Sequence, residues 1–464
     1  MPSLHRRRFL ERSVLGAGFA ALWSGLSCRL EGSPESLLTA GYGPLRPAAD
    51  ESTGLDLMRL PEGFRYVSFG WTGDLMEGGV PTPPLHDGMA VVSQKDGIVT
   101  LIRNHEVEVA GPAFGPAGGV YDPRAAGGCT LLKFDSIRGR WLSSRAALGG
   151  TVRNCAGGPT PWGTWLTCEE TVADEAQGFE KTHGWVFEVS PDGVDERSAV
   201  PIRGMGRFVH EAVAVDPASG SVYLTEDRYV CGFYRYVPQT PGRLADGGTL
   251  SALQAVGAAD LQSGHAVGSV YDVRWVPIEN VEEIRSGEPG DTALQGVYVS
   301  ARRGGASTFA RLEGCTFAEG RVILTSTNGG AGKCGQVWQY DPVREQLTLL
   351  FESPARQILN MPDNMTVSPR GGIVLCEGDK LPKRLQGLTS SGQVFPFALN
   401  NSDFRSSKAQ ASLRTAGKRA EAKDYRADDW CGVTFSFDGR WLFANLQVPG
   451  ITVAITGPWR EGLI

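Results

Sequence analysis

One unit recurs along the chain: a short apolar run, a turn rich in Pro, Asp and Gly, then a second apolar run. Val186-Phe187-Glu188-Val189 leads into Ser190-Pro191-Asp192-Gly193, and Ala212 to Val215 is joined to Ser221 to Leu224 through Asp216-Pro217-Ala218-Ser219-Gly220. The unit returns at Val337 to Tyr340 with Asp341-Pro342, at Met365 to Val367 with Ser368-Pro369-Arg370-Gly371-Gly372, and at Val433 to Phe435 with Ser436-Phe437-Asp438-Gly439. Runs this short, closed by residues that accept turn dihedrals, read as hairpins. Helical faces are scarce. Hairpins repeated around one chain predict an all-β fold, a β-propeller with inserted loops and short helices. A β-sandwich or two stacked β domains is the alternative.

Two stretches leave this pattern. Arg6-Arg7-Arg8-Phe9-Leu10 precedes a modestly apolar, Gly- and Ala-containing segment from Val14 to Leu26. That has the form of a twin-arginine export signal, too short and glycine-rich to span a bilayer core of roughly 30 Å. Residues 1–28 are read as this signal, 29–56 as a linker and 57–464 as one propeller domain. The export machinery becomes a partner and the periplasm or the exterior the destination. Cys28 is a candidate lipid anchor, with Gly25 unfavourable at that point. The second stretch, residues 401–428, is a polar insertion that carries Arg405, Lys408, Arg414, Lys418, Arg419 and Lys423. It reads as a solvated excursion, with an anion-guiding loop as the alternative.

Composition narrows the function. The 61 Gly and 28 Pro make up about a fifth of the 464 residues, which favours turns over long helices. Removing residues 1–28 takes away four Arg and one Glu, so the formal charge moves from -6 to -9. Nucleic acid is thereby a poor partner, since phosphate backbones call for basic surface. No later segment is long and apolar enough to span a membrane. The eight Cys beyond Cys28 show neither a CxxC pair nor the spacing of a small disulfide scaffold.

Candidate chemistry concentrates at Asn154-Cys155-Ala156-Gly157-Gly158-Pro159-Thr160-Pro161-Trp162-Gly163-Thr164-Trp165-Leu166-Thr167-Cys168-Glu169-Glu170. A thiolate and neighbouring carboxylates repel one another unless cations intervene, so this segment points to metal. Other polar groups sit at the ends of apolar runs: Asn104-His105-Glu106, His210-Glu211, Glu226-Asp227, Asp363-Asn364 and Cys376-Glu377. In Arg311-Leu312-Glu313 the alternation places a cation and a carboxylate on one strand face.

These segments carry a resemblance. Asn154 to Glu170, Gly206-Arg207-Phe208-Val209-His210-Glu211, Phe309-Ala310-Arg311-Leu312-Glu313, Pro362 to Pro369 and the run from Phe443 to Trp459 together resemble the PhoX family of bacterial alkaline phosphatases. They do so in order over Leu57 to Trp459. The resemblance implies an exported, monomeric, six-bladed propeller with ferric iron and calcium in its channel, hydrolysing phosphate monoesters. It implies Cys155 as iron ligand, Glu211 and Glu313 as carboxylates on the cluster, and Arg311 as the arginine facing phosphate, so that Cys155, Glu313 and Arg311 form the catalytic set. For calcium it points to Glu169 or Glu170, Glu170 first. Asp363 and Asn364 fall on a motif less firmly tied to metal. Where the family usually shows Ser-Glu-aromatic-Ala/Thr-Gly, this chain has Asp428-Asp429-Trp430-Cys431-Gly432, so a shorter carboxylate, Asp429, stands at that metal contact.

Two other functions suit a propeller with an acidic channel. A lactonase-like hydrolase would need calcium but no iron and would be indifferent to Cys155. A catalytically silent ligand-binding propeller would fold without turnover.

Overall fold

The computed structural model describes residues 37–284, 296–378 and 382–464. The export signal and Cys28 lie outside them. The fold is all-β and propeller-like, with two short α-helices among the described residues, α1 (Gly296–Arg303) and α2 (Ser407–Thr415). An N-terminal set comprises β1 (Arg46–Ala48), β2 (Met58–Leu60) and β3 (Arg65–Phe69). Antiparallel meanders follow. The first holds β4 (His86–Lys95), β5 (Ile98–His105), β6 (Gly127–Asp135) and β7 (Arg140–Thr151). Next come β8 (Asn154–Pro159), β9 (Trp165–Glu169) and β10 (Val186–Val189), then β11 (His210–Val215), β12 (Val222–Glu226), β13 (Tyr234–Pro238), β14 (Gly248–Ala255) and β15 (Val270–Pro277). The chain continues through β16 (Leu312–Ala318), β17 (Arg321–Ser326), β18 (Gln336–Asp341) and β19 (Gln346–Glu352), and through β20 (Pro362–Val367), β21 (Ile373–Glu377), β22 (Arg384–Leu388) and β23 (Val394–Asn400). It ends in β24 (Trp430–Phe435), β25 (Leu442–Leu446) and β26 (Ile451–Thr456).

Among the described residues these strands pair into five sheets. Four hold one meander each. The fifth is nine-stranded, because β15 reaches across to pair with β19 through Val270↔Thr348, Tyr271↔Leu347 and Asp272↔Gln346. The termini close the molecule: β3 completes the last sheet against β26, from Thr452↔Phe69 to Thr456↔Arg65. β1 and β2 extend another sheet beyond β23, so the stretch read as a linker contributes a strand to the fold.

The opening strands β4, β8, β11, β16, β20 and β24 pack side by side in a closed cycle. Each carries a register shift near its start: between His86 and Met89, Asn154 and Gly157, His210 and Val213, Leu312 and Cys315, Pro362 and Met365, and Cys431 and Thr434. Two residues therefore oppose one at the same place in every strand, a β-bulge that re-aims side chains. In four of the six meanders a polar side chain at the place opposite the bulge, or next to it in the case of Asn445, ties one cycle strand to the next. Asn104 Nδ2 donates to the Cys155 and Ala156 carbonyls at 3.0 and 2.8 Å, and Thr225 Oγ1 to Glu313 O at 2.7 Å. Thr325 Oγ1 donates to Asp363 O at 2.9 Å, and Asn445 Nδ2 closes the cycle on Asp87 O at 2.6 Å. Cys168 and Cys376 stand at the equivalent places, fully buried, which explains two of the cysteines as small packing groups.

Close approach of neighbouring strands dictates the small residues. A Cβ on Gly157 would lie 2.0 Å from Leu166 O, and one on Gly158 would lie 1.9 Å from Val213 O. The two glycines of Asn-Cys-Ala-Gly-Gly are thus required by β8 being wedged between β9 and β11. Gly314 is held likewise, its Cβ position 2.7 Å from Asp363 O and 2.8 Å from Met365 Cγ. Gly314→Ala is expected to cost about 2–3 kcal/mol of stability through overpacking. Urea unfolding checks this; an unchanged midpoint would mean that β16 and β20 can separate freely.

The 401–428 insertion differs from a purely solvated excursion. Ser406 caps α2 by accepting from Ala409 N, and Leu413 is buried in one core with Phe404 and Tyr425. Lys418 pairs with Asp74 at 2.7 Å, tying the insertion's far end to the propeller.

Candidate metal centre

The bulges assemble the site. In five of the six cycle strands the first bulged residue is an acid or a thiol: Asp87, Cys155, Glu211, Glu313 and Asp363. In β24 the equivalent residue is Gly432, at φ +59°, where a Cβ would meet Asp87 O and Asn445 Nδ2 at 2.5 Å. A second tier follows the ends of β5, β9 and β12, supplying Glu106, Glu170 and Asp227.

Ligand atoms converge in three overlapping groups, each within 4.8 Å: Asp87, Glu106 and Cys155; Cys155, Glu170 and Glu211; and Glu211, Glu313 and Asp363. Cys155 and Glu211 each belong to two groups, and the Cys155 thiol donates to Glu211 Oε1 at 3.2 Å. Burial, reinforced by neighbouring carboxylates, pushes the carboxyls of Asp87, Glu170, Glu211 and Glu313 well above the usual carboxylate range. The same causes raise Asp363 to about 7 and push up the Cys155 thiol. Glu211 Oε2 is buried with no hydrogen-bond partner. Protein groups alone leave this charge unresolved, whereas cations would satisfy the orphan oxygen and stand in for the protons. The donor set, many hard oxygens and one soft sulfur, suits hard cations together with one thiophilic transition metal.

Among the described residues, Arg153, Arg311 and Lys383 pair with acids here. Arg153 Nε lies 3.0 Å from Glu106 and 3.1 Å from Glu170. Arg311 grips Asp227 with Nε and Nη2, both at 2.8 Å, and reaches Glu313 with Nη2 at 2.6 Å. Its backbone sits at φ +41°, fixed by Arg311 N donating to Arg228 O and Thr327 N donating to Arg311 O. Lys383 Nζ binds Asp429 at 2.5 Å.

The geometry brings Cys155, Glu170, Glu211, Glu313 and Arg311 together and sets two other candidates apart. Glu169 is fully buried and accepts from Val152 N, Gly184 N and Trp185 N, with His183 Nδ1 at 2.7 Å. It therefore knits its own sheet, while the next residue faces the cluster. Glu226 and Asp227 divide the same way, Glu226 binding Gly232 N and the Tyr234 hydroxyl. Asp429 belongs to none of the three groups and is engaged by Lys383. His105 and His210 make hydrogen bonds inside the core, to the carbonyls of Pro84 and Gly206. Asp87 and Arg153 did not emerge as ligand-shell groups from sequence alone. The signal for Asp87 is the pairing of an acid or thiol with a small residue at a strand start, as in Asp87-Gly88, Cys155-Ala156, Glu211-Ala212 and Glu313-Gly314.

A solved structure of Pseudomonas fluorescens PhoX in complex with vanadate, a transition-state analogue, is similar in fold, with a TM-score of 0.62 and 18% identity over 91% of this chain and 98% of that one. A gluconolactonase from Xanthomonas campestris aligns at 12% identity over 93% and 100% of the two chains, with a TM-score of 0.41. No curated protein matches the sequence. Among the described residues no helix is long and apolar enough to cross a membrane. The family described as alkaline phosphatase PhoX matches residues 40–148 and 143–450, which is most of the sequence, and the chain belongs to that family.

Proposed function

We propose that this phosphatase hydrolyses phosphate monoesters at a cluster of ferric iron and calcium held by Cys155, Glu170, Glu211 and Glu313, with Asp87, Glu106 and Asp363 completing the ligand shell. The observation that carries the reading is the chain of three ligand groups linked through Cys155 and Glu211. Bound there, iron would supply Lewis acidity toward phosphate oxygens and calcium a flexible counter-charge. Arg311 orients and neutralises the phosphoryl oxygens. Its Nε edge is locked onto Asp227, which leaves Nη1, with no protein hydrogen bond among the described residues, to donate to substrate. Arg153 offsets part of the charge of Glu106 and Glu170. Glu169 and Asp429 are assigned scaffold roles in this reading.

The nine-stranded sheet counts as two blades joined at their outer edges, so the propeller is six-bladed. The chain leaves the cytoplasm folded through the twin-arginine machinery, functions as a monomer in the periplasm or outside the cell, and requires no membrane span; Cys28 remains its candidate anchor. Release of phosphate from a simple monoester should disappear on dialysis against a chelator and return with iron and calcium together. Full turnover after exhaustive chelation would contradict the proposal.

A further inference from the structure

A cavity of about 280 Å³ opens beside the cluster. Arg153, Glu170, Asp227 and Arg228 line it together with the apolar side chains of Val172 and Val209. The carboxylates on this wall each have a cationic partner: Glu170 shares Arg153 with Glu106, and Asp227 holds Arg311 through two hydrogen bonds. Arg228 has no such bonded partner, although its charge acts on the buried carboxyl of Glu226. Among the described residues its side chain makes no hydrogen bond or ion pair, and its Nε is buried without a partner. Its backbone is nonetheless fixed, with Arg228 N donating to Glu226 O at 3.2 Å and Arg311 N donating to Arg228 O at 2.8 Å. An arginine lining a cavity with an unsatisfied buried donor has donors to offer an anion, and the guanidinium fork suits a carboxylate or a phosphate.

Resting on the phosphatase reading, we propose that this cavity receives the alcohol half of the substrate and that Arg228 selects phosphate monoesters whose alcohol carries a second anionic group. The scissile phosphate lies at the cluster, the alcohol occupies the cavity lined by Val172 and Val209, and its second anion meets Arg228. Arg228 is a specificity determinant here; it takes no part in bond cleavage.

The test compares 3-phosphoglycerate with glycerol 3-phosphate, which differ chiefly in one carboxylate, in wild type and Arg228→Gln. Wild type should favour the phosphoglycerate in kcat/KM by about tenfold or more, the gain typical of a charge-assisted hydrogen bond. In Arg228→Gln the ratio should fall about tenfold, and Arg228→Lys should recover part of it. A parallel calorimetric titration with 3-phosphonopropionate and propylphosphonate reads the same preference without turnover. Equal kcat/KM for both esters in wild type, or a ratio unmoved by Arg228→Gln, overturns the proposal and leaves the phosphatase reading intact. If neither ester is hydrolysed yet the phosphonate preference is present and lost in Arg228→Gln, the anion site stands and the phosphatase reading falls.

Discussion

Replacing Glu211 by Gln should lower phosphate-ester turnover about a thousandfold or more, the equivalent of roughly 4 kcal/mol of lost transition-state stabilisation. Glu211 is the residue whose loss reaches furthest, because it joins the Cys155–Glu170 group to the Glu313–Asp363 group. Gln keeps the shape but removes the charge, so the substitution separates metal holding from packing. The metal-free protein should respond in the opposite direction. The carboxyls of Asp87, Glu170, Glu211 and Glu313 are raised by burial and mutual repulsion, so the folded state holds protons that the unfolded chain releases. Their contribution to stability is complete below the unfolded carboxylate pKa and is lost as pH rises through the folded values, which for Asp363 means between about 4 and about 7. Metal-free wild type should therefore weaken from acid toward alkaline pH, and metal-free Glu211→Gln should be the more stable of the two at pH 8. Thermal unfolding with and without metal checks this. Equal stability of both proteins in both states would mean that Glu211 carries no charge burden and holds no cation.

Arg311→Ala should lower kcat about a hundred- to a thousandfold, the range for removing one preorganised donor from a developing oxyanion, while leaving the metal content close to wild type. The contrast with Glu211→Gln is the informative part. Alanine at φ +41° meets the same left-handed penalty as arginine, so the backbone strain is not relieved by the change. What disappears is the guanidinium between Asp227 and Glu313, which leaves both carboxylates facing substrate. Arg311→Lys should restore little, since one ammonium cannot hold Asp227 through two parallel bonds and still present a donor to phosphate. A variant that keeps its turnover would show that Arg311 is only a structural clamp.

Much of this was legible in the sequence because the signals were local. Short apolar runs with Pro/Asp/Gly turns marked hairpins from Val186 to Phe435, and Asn154 to Glu170 stood out as dense ligand chemistry. Less was legible wherever the answer lay in pairing between distant strands. Glu169 and Glu170 are equivalent as letters; only the three backbone amides and His183 gathered around Glu169 separate them. Asp87 lacked a striking neighbourhood, and its role follows from the bulge that β4 shares with five other strands. Asp429 was drawn toward the cluster by its motif, yet Lys383, distant in sequence, engages it. β15 gave no sign that it would bind the edge of another meander, because edge pairing depends on two exposed strand edges meeting in space.

The most direct test of the central claim is elemental analysis of wild type and Cys155→Ala, each purified without added metal. The account predicts iron and calcium in wild type, with iron lost in Cys155→Ala together with phosphatase turnover. Wild-type protein that hydrolyses phosphate monoesters without iron, or Cys155→Ala protein that retains both iron and full activity, would contradict it.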